Sequence, residues 1–237
     1  MNLPRARDFR RVVFFTGAGL SRESGVPTYR GEGGLWHEYR PEDYACQEAF
    51  ERAPDRVWDF HEKRRAFTGG CAPSDGHRCI AAFQEEFPEA WVVTQNIDGL
   101  HQRAGSRRVI ELHGSLWRVR CDACPWSGAN VELPLSTRLH DCGAPLRPDI
   151  VWFGDALVEE VLGAAAATIE ACDLFIAIGT SAQVFPAAEL PLLARARGAM
   201  LVEVNPAATP LSDVYDVSAR ATAQAALPVL LRGGTLS

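Results

Sequence analysis

The sequence lacks any apolar run long enough to cross a bilayer. The longest runs, such as 161–169, fall far short of the ~20 residues that a spanning helix needs. It also lacks a basic excess. There are 24 Lys and Arg against 30 Asp and Glu, a net charge of −6, which argues against nonspecific nucleic-acid binding. No internal repeat or low-complexity tract appears. The cysteines number seven, an odd count that does not resemble a secreted disulfide framework, so a reducing, cytoplasmic setting is expected. Arg5, Arg7, Arg10 and Arg11 ahead of 12–19 faintly mimic a signal peptide. The polar stretch 21–24 follows at once, with no small-residue cleavage site, and a buried strand is the better reading. No membrane or direct nucleic-acid partner is expected. With no stripe of heptads, a monomer is the default.

What is present is the composition of a packed globule: 237 residues, 47% hydrophobic and 23% charged. Short β-branched or apolar runs at 11–16, 90–94, 109–112, 150–153, 173–178 and 200–204 predict strands. Helices are predicted at 77–86, 157–171 and 190–196, and short amphipathic helices among the aromatics of 36–68, broken at Pro41 and Pro54. Alternation of this kind predicts an α/β fold with an open, Rossmann-like parallel sheet. Residues 118–147 hold three cysteines, three prolines and little periodicity, which reads as a loop-rich insert. The expected division is a Rossmann-like domain of 1–35, 71–117 and 148–237. The smaller domain joins a helical insert, 36–70, to a zinc-knuckle-like module, 118–147.

Gly17-Ala18-Gly19 closes the first strand run. A glycine turn from strand to helix lets backbone N–H groups approach a pyrophosphate. Position 22 is Arg rather than Gly, and no acidic residue ends a second strand ~20 residues on. An ordinary hydride-transferring dehydrogenase is therefore not expected. Cys121-x-x-Cys124 is a good first half of a zinc knuckle. Cys142 fits a third ligand, and His140 or Asp141 could be the fourth. A metal-free module is the other reading. His113 carries an imidazole, which titrates near neutral pH; taken alone, a half-buried histidine bonded to backbone is the better reading.

The chain reads GAGLSRESGVPTYRG at 17–31, GLW at 34–36, TQNIDGLH at 94–101, ELHGS at 111–115, CDAC at 121–124, LRPDIVWFG at 146–154, GTSAQVFP at 179–186 and VEVN at 202–205. In that order and spacing it closely resembles the Sir2 (sirtuin) family of NAD-dependent protein-lysine deacylases, over nearly its whole length. The class III type is the nearest match. The resemblance implies that NAD is consumed. The acyl-lysine carbonyl oxygen attacks C1′ of the nicotinamide ribose, nicotinamide leaves, and an O-alkylamidate forms. His113 draws a proton from the ribose hydroxyls, the 2′-oxygen attacks the acyl carbon, water completes the exchange, and the products are free lysine and O-acyl-ADP-ribose.

The resemblance also implies a cofactor loop carrying Gly17, Ala18, Gly19, Ser21, Pro27, Thr28, Tyr29, Arg30 and Trp36. Gln95, Asn96, Ile97 and Asp98 are expected near the nicotinamide and its ribose, with Asn96 beside His113 in the chemistry. Gly179, Thr180, Ser181, Asn205 and Ala223 are expected on the adenosine half. Val151, Trp152, Phe153 and Gly154 resemble the segment that pairs with substrate peptide as an added strand. His101 is expected to support the site. In relatives that remove acidic acyl groups, a Tyr-x-x-Arg pair holds the distal carboxylate and a nearby alanine leaves room. Here Arg64 and Ala45 match, and His61 stands in place of the tyrosine. Should His61 carry charge, desuccinylation is expected to gain from mild acidity. Two rivals share these residues: an NAD glycohydrolase or mono-ADP-ribosyltransferase, and a non-catalytic NAD- or ADP-ribose-binding module. His113, Asn96 and Asp98 argue against the second. Expected partners are acyl-lysine proteins or peptides, with structural zinc as an added ligand.

Overall fold

The computed structural model describes residues 3–29, 34–233 and 235–236. Nine strands form two sheets: β1 Val12–Thr16, β2 Ala90–Thr94, β3 Val109–Glu111, β4 Gly114–Cys121, β5 Ser127–Ala129, β6 Leu146–Ile150, β7 Leu174–Ile178, β8 Met200–Val204 and β9 Val217–Ala219. The larger sheet has the order β3-β2-β1-β7-β8-β9, and every neighbouring pair in it is parallel.

Its central strands are apolar on both faces because both faces are covered. Val12 and Phe14 point into one core with the helices Asp75–Glu86 and Ala223–Arg232. Val13 and Phe15 point into the other, with Glu159–Glu170 and Leu190–Ala196. Ser74 opens Asp75–Glu86 with a capping box, its hydroxyl accepting from the His77 N–H.

The second sheet is antiparallel, in the order β5-β4-β6. It packs on the 17-residue helix Pro54–Gly70 through a third core that includes Val57, Trp58, Leu116 and Val119. So the stretch read as loop-rich contains paired strands, with the cysteines at their ends. The strand expected at 150–153 stops at Ile150. Beyond it, the Val151 N–H donates to the His113 carbonyl and the Phe153 N–H to the Ala45 carbonyl, at 3.0 and 2.9 Å. No helix among the described residues is long and apolar enough to cross a membrane.

Candidate active site and metal centre

In a parallel sheet all carboxyl ends lie along one edge. Ligands bind where the strand order reverses. Here the reversal falls between β1 and β7: the chain proceeds to β2 and β3 on one side, and to β8 and β9 on the other. Gly17 follows β1, Gln95 and Asn96 follow β2, His113 follows β3, Gly179 follows β7 and Asn205 follows β8. All six line one cavity of about 810 Å³, which is continued by Ala45, by His61 and Arg64 of the helix Pro54–Gly70, and by Trp152 beyond β6.

The two glycine loops touch at this point. A Cβ on Gly19 would lie 2.7 Å from the Gly179 Cα, and one on Gly17 would lie 2.7 Å from the Gly179 carbonyl oxygen. The N–H groups of Gly17 and Gly19 donate to Ile178 and Gly179 carbonyls, at 3.0 and 2.9 Å. Glycine is therefore required at 17 and 19 by loop packing. Those two N–H groups are spent inside the chain rather than offered to a phosphate.

His113 sits in the turn from β3 to β4. Its Nδ1 lies 2.9 Å from the Gln95 carbonyl oxygen. A carbonyl only accepts, so Nδ1 carries the proton and Nε2 the lone pair. Nε2 has no partner among the described residues. Burial pushes the imidazole pKa below its ordinary value, against the smaller opposing pull of the Gln95 carbonyl. Arg118 braces this turn, bonding Glu111 at 2.7 Å and Asp149 at 3.1 Å.

Behind the cavity wall runs a polar chain. The Asn96 amide donates to the Gly17 carbonyl (3.0 Å) and to the Ser21 hydroxyl (3.1 Å). Ser21 donates to Asp98 at 2.7 Å. Burial raises the Asp98 pKa, while the Ser21 hydroxyl and the Leu100 N–H act the other way. The Asn96 Oδ1 has no partner among the described residues and is the acceptor left to the cavity. The Gln95 amide reaches the Thr180 hydroxyl at 3.0 Å, and the Asn205 amide reaches the Thr180 carbonyl at 2.8 Å. His101 supports Thr16, which bonds Thr94 in turn (2.9 and 2.8 Å). Asp98 and Ser21 thus stand behind the wall, and Pro27 lies off it. Arg30 and the Trp36 side chain lie outside the described residues.

At the far end, His61 is fully buried, with Nε2 3.1 Å from the Tyr44 carbonyl. Burial first, then Arg64, holds its pKa well below the ordinary range, with Arg147 and Arg65 adding to this. Both effects favour the neutral ring, which works against the gain expected from protonating it at mild acidity. Trp152 is buried between the Arg147 guanidinium, 3.5 Å from its ring, and Phe50. The next residue, Phe153, is 45% exposed on the cavity rim. Alternate side chains therefore serve core and cleft.

Cys121, Cys124, His140 and Cys142 place their ligand atoms within 4.8 Å of one another. The Cys121 and Cys142 sulfurs are 3.5 Å apart, and His140 Nδ1 is 3.6 Å from Cys124 Sγ and 3.1 Å from Cys142 Sγ. A tetrahedron with Zn–S of about 2.3 Å has S–S edges of about 3.8 Å, so the donor set fits zinc. The fourth ligand is His140 rather than Asp141. Gly143, at φ +84°, lets the 140–144 turn close on itself, with the His140 N–H on the Ala144 carbonyl at 2.8 Å.

Neither the Arg118 brace nor a bond of 2.7 Å between the Arg64 guanidinium and the Tyr29 hydroxyl was legible in the sequence. The first depends on how two sheets meet, and the second on how the loop before the helix Leu35–Glu38 meets the helix Pro54–Gly70.

A family model described as Sir2 family matches residues 17–186. NAD-dependent protein deacylase 1 of Caldanaerobacter subterraneus subsp. tengcongensis is 50% identical over 204 residues, 85% of this chain and 84% of that protein. A solved Sir2 homolog–NAD complex is 42% identical with a TM-score of 0.87, covering 95% of this chain and 89% of that one. A solved Sir2 variant with deacetylated p53 peptide and 3′-O-acetyl-ADP-ribose is 32% identical, with a TM-score of 0.86 and coverage of 98% and 96%.

Proposed function

The chain belongs to the Sir2 family, and from that premise we propose how its cleft carries out NAD-dependent protein-lysine deacylation. The protein is an NAD-dependent deacylase; the residue roles are our reading. The single observation carrying them is the fixed tautomer of His113, with Nδ1–H held by the Gln95 carbonyl.

NAD is a substrate here, spanning the cavity from the Asn205 end to His113. Asn96, anchored through its amide nitrogen to Gly17 and Ser21, turns Oδ1 toward the nicotinamide ribose. His113 Nε2 takes a proton from a ribose hydroxyl, and that oxygen then attacks the acyl carbon. Neutral imidazole is the reactive form, and burial favours it. The site must also keep water from C1′ until acyl-lysine arrives. The wall of Ile150, Trp152 and Phe153 supplies apolar surface for the acyl-lysine stem.

Acyl-lysine peptide enters beside Val151–Gly154, between a larger unit of 1–35, 71–117 and 148–237 and a smaller unit of 36–70 and 118–147. Ala45 leaves room at the acyl end, and Arg64 offers positive charge to a distal carboxylate. Succinyl- and malonyl-lysine are therefore substrates together with acetyl-lysine. Zinc, held by Cys121, Cys124, His140 and Cys142, is structural and ties down a unit too small to build its own core. The chain acts as a monomer.

Mass spectrometry of acetyl-, malonyl- and succinyl-lysine peptides incubated with NAD tests this. O-acyl-ADP-ribose and free lysine are expected. ADP-ribose without loss of acyl peptide would instead mean glycohydrolysis, and no turnover would mean binding only.

A further inference from the structure

Residues 205–210 line the cavity at the end away from His61 and Arg64. They belong to no helix or strand, since β8 stops at Val204 and the next helical turn begins at Ser212. Pro206, Ala207, Ala208 and Pro210 are exposed, so apolar burial does little to hold them in place. Asn205 ties the start of the loop: its N–H reaches the Ala219 carbonyl at 3.1 Å and its amide the Thr180 carbonyl at 2.8 Å. The rest of the loop hangs on one carboxylate.

That carboxylate is Glu203, on β8 two residues before Asn205. It is 2% exposed and stands off the cavity wall. Its Oε1 accepts from the Thr209 hydroxyl at 2.8 Å. Its Oε2 accepts from the Ser212 hydroxyl at 2.8 Å, the Ser218 hydroxyl at 3.2 Å and the Arg220 guanidinium. The same guanidinium donates to the Ala207 carbonyl at 3.4 Å, and the Thr209 N–H donates to the Ser212 hydroxyl at 2.8 Å. A buried carboxylate is tolerated only where donors and a counter-charge meet it. The strand itself needs none of these bonds, because its backbone ladders to β7 and β9 are complete without them. What the bonds fix is the loop, at Ala207, Thr209 and Ser212.

We infer that Glu203 is a positioning residue for NAD. Acting through Arg220, Thr209 and Ser212, it sets where the 205–210 loop stands beside the adenosine half, without touching the cofactor. This rests on the reading that NAD spans the cavity from the Asn205 end to His113. Acyl-lysine is handled at the other end, beside Ala45 and Val151–Gly154. Loss of the anchor therefore weakens the hold on NAD and spares the hold on peptide.

The test measures kcat, KM for NAD and KM for an acetyl-lysine peptide. In Glu203→Gln, KM for NAD is expected to rise about tenfold or more, the scale on which misplacement by a remote residue is felt, while KM for peptide stays close to wild type. Arg220→Met should give the same shift, and Arg220→Lys should restore most of the loss. The double variant should add nothing to either single one, because the two residues act as a unit. Ser212→Ala removes one tie and keeps the others, so it probes the same loop more gently and should move KM for NAD in the same direction by less. Ile169→Val, buried on the helix Glu159–Glu170, lowers the melting temperature by lost packing alone and should leave both KM values unchanged. An unchanged KM for NAD in both Glu203→Gln and Ser212→Ala would overturn the inference. So would a parallel rise of both KM values in Glu203→Gln, which would make Glu203 a residue of the fold only. Asn205→Ala separates the two levels of the argument. Should it leave KM for NAD unchanged, the placement of adenosine at this end fails and takes the inference with it; should it raise KM for NAD where Glu203→Gln does not, the inference alone fails.

Discussion

Lowering the pH is expected to unfold this protein through its histidines. His61, His77 and His101 are each no more than 1% exposed, and all three have pKa values lowered chiefly by burial. His77 is pushed down to about 4 from an ordinary 6.5. The sign follows from linkage. These groups titrate near 6.5 in the unfolded chain and lower in the folded one. Their stabilising effect is therefore complete above 6.5 and is lost as pH falls toward the folded values. For His77 the gap of roughly 2.5 units amounts to about 3 kcal/mol by pH 4. Each neutral buried histidine adds a slope of up to about 1.4 kcal/mol per pH unit, so three give roughly 4. Against a typical stability of about 5–15 kcal/mol, the loss at His77 alone is a large share, and His61 and His101 act in the same direction. Asp98, with its raised pKa, opposes this at the acid end by one group at most. Urea unfolding at pH 7.5, 6.0 and 5.0 measures the slope directly. His77→Gln also weakens the cap at Ser74, which lowers stability at every pH, but it should reduce the slope below pH 6 by about 1 kcal/mol per unit. Parallel pH dependences for wild type and variant would refute the reasoning.

His113→Ala should lower kcat/KM for acyl peptide by about 10²–10⁴, and the wild-type profile should show an acid limb with its midpoint below 6.5; a midpoint above 7 would mean another base. Elemental analysis should find one zinc per chain, and His140→Ala should lose the metal and lower the melting temperature; full zinc content in that variant would return the fourth position to Asp141. Gly19→Ala places a methyl group 2.7 Å from the Gly179 backbone, so stability should fall by about 1–3 kcal/mol and KM for NAD should rise. Unchanged values for both would show that the two loops have room to separate.

Five strands of the parallel sheet were readable because a strand buried on both faces must be apolar throughout; the edge strand β9, three residues long and only partly buried, was not. The runs at 90–94 and 200–204 match β2 and β8 to the residue, and β1 and β7 match within one. The antiparallel sheet was not, for three physical reasons. β6 reads Leu146-Arg147-Pro148-Asp149-Ile150, with proline and charge where periodicity should show; it lies at a sheet edge, where proline is tolerated. The pairing of β4 with β6 shifts register between Gly114 and Val119, which breaks alternation. β5 has three residues, too few for any pattern. At the site, residues on strand ends were legible because position in sequence fixes position in space. The state of His61 was not. Its lowered pKa comes first from complete burial and then from Arg64, with Arg147 and Arg65 adding to it, and Arg147 is 86 positions away from it in sequence.

His61 and His140 differ from the residues that the resemblance led us to expect, and both lie away from the point where the glycine loops meet. Around the switch point the site is built from backbone against backbone. Gly17, Gly19 and Gly179 approach so closely that any Cβ collides with main chain, and main chain cannot be replaced by another residue's side chain. At a metal site, what matters is which donor atom arrives, and several residues can bring the same atom type. Nitrogen from His140 completes a sulfur-rich tetrahedron, because zinc accepts either ligand. The glycine contacts therefore leave no space for a side chain, whereas the metal site accepts a change of residue that keeps a donor atom in place.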